Sequence, residues 1–324
     1  MRATQAVVVY LPSQLVRALK PLVGEGKPYA DISELAELSL QNQLALETER
    51  HSQIPGDENG PKGDRGRLPS LSALPDFSPP ALALPDDEAL TGALSPFTNR
   101  LFPVKLACRV LANCTDGVSL RDFQMDAAET AREVGRALRN EDAEAGRKGM
   151  ERRWVALPVG EKGASTLNRF INHFTITQRR GGFSDGPLAR LGLAAWDAEG
   201  RPRLTELGWK LACEPNPVFD GAGDGVAETL GPGDRALFEQ AIASNRAESR
   251  NLAEFRVIVN ATNGQQGAID ERLRKGRGLN HDEGAVYRAG IIGRLHDLAK
   301  VTVVGTGEGA RVVLSDSWPW TGSA

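Results

Sequence analysis

Few residues in this chain have the type and spacing that reactive chemistry needs. Cys108, Cys114 and Cys213 form no CxxC pair, so they outline neither a zinc site nor a disulfide framework. Cys108 and Cys114 fall on an apolar helical pattern, a setting that raises a thiol's pKa rather than activating it. The histidines His51, His173, His281 and His296 are scattered, and none stands at metal-ligand spacing from a cysteine or an acid. Gly305, Gly307 and Gly309 are spaced as in a nucleotide loop, but a strand pattern follows where a dinucleotide site requires a helix. A hairpin turn is the better reading. No GxxxxGK[ST], HExxH or GxSxG motif occurs. Gly231-Pro232-Gly233-Asp234 is turn chemistry ahead of a helix. The expectation is a non-enzymatic protein with no cofactor and no metal.

Charge is the remaining chemistry on offer. The formal net charge is −3, yet residues 97–218 hold 19 Lys and Arg against 15 Asp and Glu, a net of +4. The segments on either side are mildly acidic. That balance counts against a protein that coats nucleic acid tightly and non-specifically, since such a protein carries a plainer basic footprint. It leaves room for one local patch. Arg272, Arg274, Lys275 and Arg277 suit phosphate contacts, or equally a charged helix end set favourably against the helix dipole.

Hydrophobic residues make up 40% and charged residues 25% of the chain, which is ordinary for a soluble globular protein. No stretch approaches the roughly 18 to 20 apolar residues of a membrane helix. The apolar run at residues 6–11 is too short for a signal core. A cytoplasmic protein without membrane contact is expected.

Three kinds of segment must position these charges. Residues 51–96 hold eight prolines and a charged glycine-rich run from Gly60 to Gly66, with no periodicity; they predict a disordered linker. Ahead of it, residues 4–11 read as one strand ended by Pro12. Ser13 caps a helix carrying Leu15, Leu19 and Leu22. Asp31 and Glu34 form a capping-box-like start for a second helix with Ile32, Leu35, Ala36, Leu40 and Leu44 on its apolar face. One strand and two helices cannot close a core alone, so pairing of two copies through the strand is expected.

That order, with its Leu11-Pro12 strand end and the Tyr29-Ala30-Asp31-Ile32-Ser33-Glu34-Leu35 helix entry, resembles ribbon-helix-helix DNA-binding proteins. The resemblance covers residues 4–47 and implies a dimer whose paired strands enter the major groove. The chain departs from that pattern where it matters. Ala6, Val8 and Tyr10 are the outward strand residues, and Ala6 and Val8 offer bases little beyond contact with a thymine methyl. Asp31 also sets a negative charge where the family tends to hold a phosphate. The ribbon therefore fits dimerisation better than base reading.

Beyond the linker, residues 103–114 predict a helix. Ser119 caps a long second helix towards Glu144, a short strand is expected around Trp154 to Leu157, and Ser165 or Thr166 opens a third helix. Leu191-Gly192-Leu193-Ala194-Ala195-Trp196, a turn at Asp197 to Gly200, and Arg203-Leu204-Thr205-Glu206-Leu207-Gly208 then predict a hairpin and a helix capped by Thr205. This pattern resembles the wing and final helix of winged-helix domains. A second copy of the layout is expected in helices at 252–261, 268–275 and 282–298, followed by strands at 301–304 and 311–314; residues 232–245 predict a joining helix. The expected fold class is mainly α with small β (α+β): residues 1–50 ribbon-helix-helix-like, 51–96 linker, 97–220 winged-helix-like, 221–324 a second winged-helix-like domain. The whole layout also resembles archaeal proteins with a similar N-terminal unit, a likeness that implies no activity.

In winged-helix proteins the helix before the hairpin enters the major groove. Carried over, the resemblance names Asn168, Arg169, Asn172 and His173 as DNA-binding residues, with Arg179, Arg180 and Arg203 on phosphates. In the second module it names Tyr287, Arg288 and Arg294. The implied partner is double-stranded DNA, bound by a dimeric transcriptional regulator. A non-catalytic scaffold that docks a protein partner is the alternative, because both modules also serve as docking units.

Overall fold

The computed structural model describes residues 92–114, 118–160, 163–178, 184–220, 228–305 and 309–320, all within one compact unit. The expectations for residues 1–50, and for the linker as far as residue 91, lie outside the described residues. The described part is mostly helical with three small antiparallel strand pairs. No helix among the described residues is long and apolar enough to cross a membrane.

Helix α1 (Phe102–Asn113) is the centre of the fold, with every residue from Phe102 to Ala112 buried. Leu101, its N-cap, supplies no side-chain cap. Asp297 does so instead from the far end of the chain, accepting from the Leu101 N–H at 2.6 Å and the Phe102 N–H at 3.4 Å. Helix α2 (Leu120–Glu144) begins as expected, with Ser119 Oγ accepting from the Asp122 N–H. Its apolar stripe of Phe123, Ala127, Ala131, Val134 and Leu138 is buried.

The strand expected at Trp154 to Leu157 is a turn instead. Ala156 takes a positive φ of 76° and the Leu157 N–H closes on the Trp154 carbonyl at 3.0 Å, a geometry that cannot extend. Helix α3 (Gly163–Phe174) follows. It does not run directly into the expected hairpin. A short pair, β1 (Thr177–Gln178) and β2 (Ser184–Asp185), and a single helical turn, α4 (Pro187–Arg190), come between.

The expected hairpin then forms: β3 (Ala194–Trp196) pairs with β4 (Pro202–Leu204), Ala194 opposite Leu204. Thr205 caps α5 (Glu206–Cys213) by accepting from the Gly208 N–H, and its hydroxyl donates to the Gly192 carbonyl at 2.6 Å. Gly208 is required there because an added Cβ would fall 1.8 Å from the Leu193 carbonyl oxygen.

Helices α6 (Pro232–Ser244), α7 (Arg246–Ala261), α8 (Gln266–Arg277) and α9 (His281–Asp297) precede β5 (Val301–Val304) and β6 (Arg311–Leu314). Asn280 and Glu283 close a capping box on α9, and Gly278 ends α8 in the left-handed region at φ 65°, the conformation in which helices commonly stop. Gln265, between α7 and α8, makes a β-bridge to Arg311 and so ties the hairpin to the helices.

The stretches 97–220 and 221–324 contribute to one continuous hydrophobic core, from Leu94 to Trp320. Buried charges stitch it. Lys105 of α1 pairs with Asp234 of α6 at 2.8 Å, both fully buried, and Arg109 pairs with Asp220 at 2.7 Å. Residues 92–96, expected in the linker, belong to this unit: Leu94 is buried and its N–H donates to Glu248 at 2.8 Å.

Candidate nucleic-acid interface

Helix α3 is amphipathic in the way the sequence requires. Leu167, Phe170, Ile171 and Phe174 are buried. Asn168, Arg169 and Asn172 are exposed on the opposite side, three and four residues apart and therefore neighbours on one helix face. No ion pair or hydrogen bond holds their side chains to another described residue. Asn and Arg are the side chains best able to make paired hydrogen bonds to adenine and guanine edges.

His173 is differently placed. Its ring lies 4.9 Å from that of Phe97, and its carbonyl accepts from the Thr98 hydroxyl at 2.9 Å. Burial, reinforced by the Arg169 charge, holds its pKa below the ordinary value, so at neutral pH it offers no positive charge to a phosphate. Arg203 is committed to Asp197 at 3.2 Å, a carboxylate it shares with Arg201. Burial pushes the Asp197 carboxyl up, but a backbone hydrogen bond from Arg201 and the side chains of Arg203 and Arg201 outweigh it and hold the pKa low. Arg179 and Arg180 lie outside the described residues.

The second set of residues belongs to the framework. Tyr287 donates its hydroxyl to Asn251 at 2.8 Å, beneath the Arg277 guanidinium 4.6 Å from its ring centroid. Arg288 spans Asp270 at 2.7 Å and Gln266 at 2.7 Å. Arg294 corrects the sequence expectation most plainly. Its side chain is 1% exposed, paired with Glu248 at 3.0 Å, and it donates to the Ser95 and Thr98 carbonyls. No duplex can reach it. The cause is the strap at residues 95–100, which packs on α9 so closely that a Cβ on Gly290 or Gly293 would meet the carbonyl oxygens of Pro96 or Asn99.

The basic runs divide in the same way. Lys275 pairs with Glu271 and Arg277 with Glu254, while Arg272 is exposed. Arg147 and Arg153 turn inward to Asp142, itself 2% exposed. The structure brings Asn172, His173 and Tyr287 along one cleft of about 460 Å³, with Pro96 and Arg190 on its walls. Sequence spacing carried no signal for that meeting, because α3 and α9 are far apart in the chain. Among the described residues no group of three or more His, Cys, Asp and Glu side chains is placed to hold a metal ion. Comparison with protein-family models, curated proteins and solved structures finds no match.

Proposed function

We propose that this chain is a non-catalytic DNA-binding protein, a dimeric transcriptional regulator of the cytoplasm that reads a duplex with α3. The single observation carrying this is the α3 face: Asn168, Arg169 and Asn172 are exposed together and engaged with no other described side chain. Three helices precede the strands in 97–220, and in 221–324 three helices follow the joining helix α6 before β5 and β6; this order supports reading both stretches as winged-helix-type modules, and the bridge from Gln265 to Arg311 supports the second. The homodimer expected of residues 1–50 completes this reading, and the reading surface is confined to the first module, because Arg294 is buried against Glu248 and Arg288 is held by Asp270 and Gln266.

The test is fluorescence anisotropy of a labelled duplex with the full-length chain as salt is raised. Log K falls against log salt with a slope of about −0.9 per phosphate neutralised. A slope near −3 or steeper, lost on Arg169→Glu, supports the reading; binding that is absent or indifferent to salt overturns it.

A second reading is favoured by a specific observation. Val257, Val304 and Val313 are exposed at 67%, 59% and 47%, apolar surface of the kind that docks proteins. Under this reading the chain is an interaction scaffold, Arg169→Glu is silent, and Val257→Asp abolishes partner capture.

A further inference from the structure

The exposed end of α2 carries a feature that neither base reading nor the core uses. The side chain of Trp154 is half-buried, and the guanidinium groups of Arg139 and Arg152 lie over its ring, 6.0 Å and 5.9 Å from the centroid. Both arginines are exposed. Neither forms an ion pair with any described carboxylate. Of the acids near them in sequence, two are already engaged, since Arg153 takes Glu141 at 2.6 Å and Asp142 at 2.7 Å and Arg147 takes Asp142 at 3.1 Å, while Glu144 and Glu151 are exposed. Lys148, which precedes the short helix Gly149–Glu151, is exposed as well, as is Arg136, one turn before Arg139.

Two like charges near one ring repel each other, so an anion that contacts both relieves the repulsion. The ring attracts each guanidinium, and no hydrogen bond to another described residue occupies their N–H groups. An arginine held in this way has already lost the rotamer freedom that binding would otherwise cost. Its fork of donors matches the paired oxygens of a phosphate.

We propose that Arg139 and Arg152, held on Trp154, form a backbone-phosphate anchor of the DNA-binding surface, distinct from the base-reading face of α3. The proposal rests on the DNA-binding reading above. The anchor fixes the position of the duplex and carries no sequence information, as phosphate contacts in general do.

The experiment is the salt titration of duplex anisotropy on full-length protein, for the parent, Arg139→Gln/Arg152→Gln and Trp154→Leu. The double variant keeps the apolar stems, and its urea midpoint is measured to show that the fold persists. The expected result is a salt slope shallower by about 1 to 2, with equal loss of affinity on duplexes of unrelated sequence. Trp154→Leu keeps both charges, so it retains the slope and weakens binding about two- to five-fold. A parent that binds with a steep slope and a double variant with the same slope overturn the anchor and leave the DNA-binding reading standing. A parent that binds no duplex overturns both.

Discussion

Replacing Arg294 by Met separates a framework role from a DNA-contacting role more sharply than any other change. The guanidinium and its partner Glu248 are 1% and 0% exposed. Glu248 also accepts from the Leu94 N–H at 2.8 Å and from Asn251 at 3.3 Å, so its carboxylate is held by several elements at once. Arg294→Met leaves that carboxylate buried without its counter-charge and strips the Ser95 and Thr98 carbonyls of a donor. Breaking a buried pair from one side costs about 3–5 kcal/mol, a large share of the roughly 5–15 kcal/mol that holds a domain folded. With a urea m-value of about 2–3 kcal/mol/M, the unfolding midpoint falls by roughly 1–2.5 M. The assay is urea unfolding followed by circular dichroism. The double variant Glu248→Gln/Arg294→Met removes both charges and is expected to cost less than Arg294→Met alone, because no unpaired ion remains. A midpoint change worth less than about 0.5 kcal/mol, the scale of surface substitutions, together with a loss of duplex affinity, would falsify this account of Arg294.

Three further outcomes are expected. Gly208→Ala destabilises by about 2 kcal/mol or more, because its Cβ collides with the Leu193 carbonyl; Gly276→Ala in α8, with nothing within 4 Å of the new atom, stabilises by up to about 0.5–1 kcal/mol. Equal effects of the two on thermal midpoint would contradict the packing described. Burial, with Arg169 beside His173 and Arg100 beside His296, holds both imidazoles below the ordinary 6.5; Asp297 opposes this at His296 but does not reverse it. The unfolded chain then binds protons at a higher pH than the folded one, so stability is complete above about pH 6.5 and is lost as pH falls below it. Urea midpoints measured from pH 7.5 down to 5.5 decline in the parent and flatten in His173→Gln/His296→Gln; a decline unchanged in that variant contradicts the assignment. Burial pushes the Cys108 thiol up to about 12, whereas Cys213 is exposed; alkylation of the native protein at pH 8, read by mass spectrometry, labels Cys213 and spares Cys108 until urea unfolds the chain. Labelling of Cys108 at the rate of Cys213 would refute its burial.

The sequence by itself determined the elements whose causes are local. Ser119 and Thr205 cap the helices they were expected to cap, and β5 and β6 have the expected bounds. A cap, a glycine turn or a helical apolar stripe is decided within about four residues, and those residues are adjacent in the chain. The polar face of α3 was legible for the same reason. The strand expected at Trp154 failed because apolar residues in a row do not reveal a positive φ at Ala156.

Only the tertiary structure decided where the charges go. Arginine reads the same in a sequence whether it meets a phosphate or a buried acid. Arg294 reaches a carbonyl 196 residues away, and Asp297 caps α1 across the same separation. Arg152 and Arg153 are neighbours in the chain, yet one lies over an indole at the surface and the other is buried on Asp142. A charge enters the interior only where partners from several elements converge to offset its desolvation. That convergence belongs to the packed core, and no local pattern encodes it.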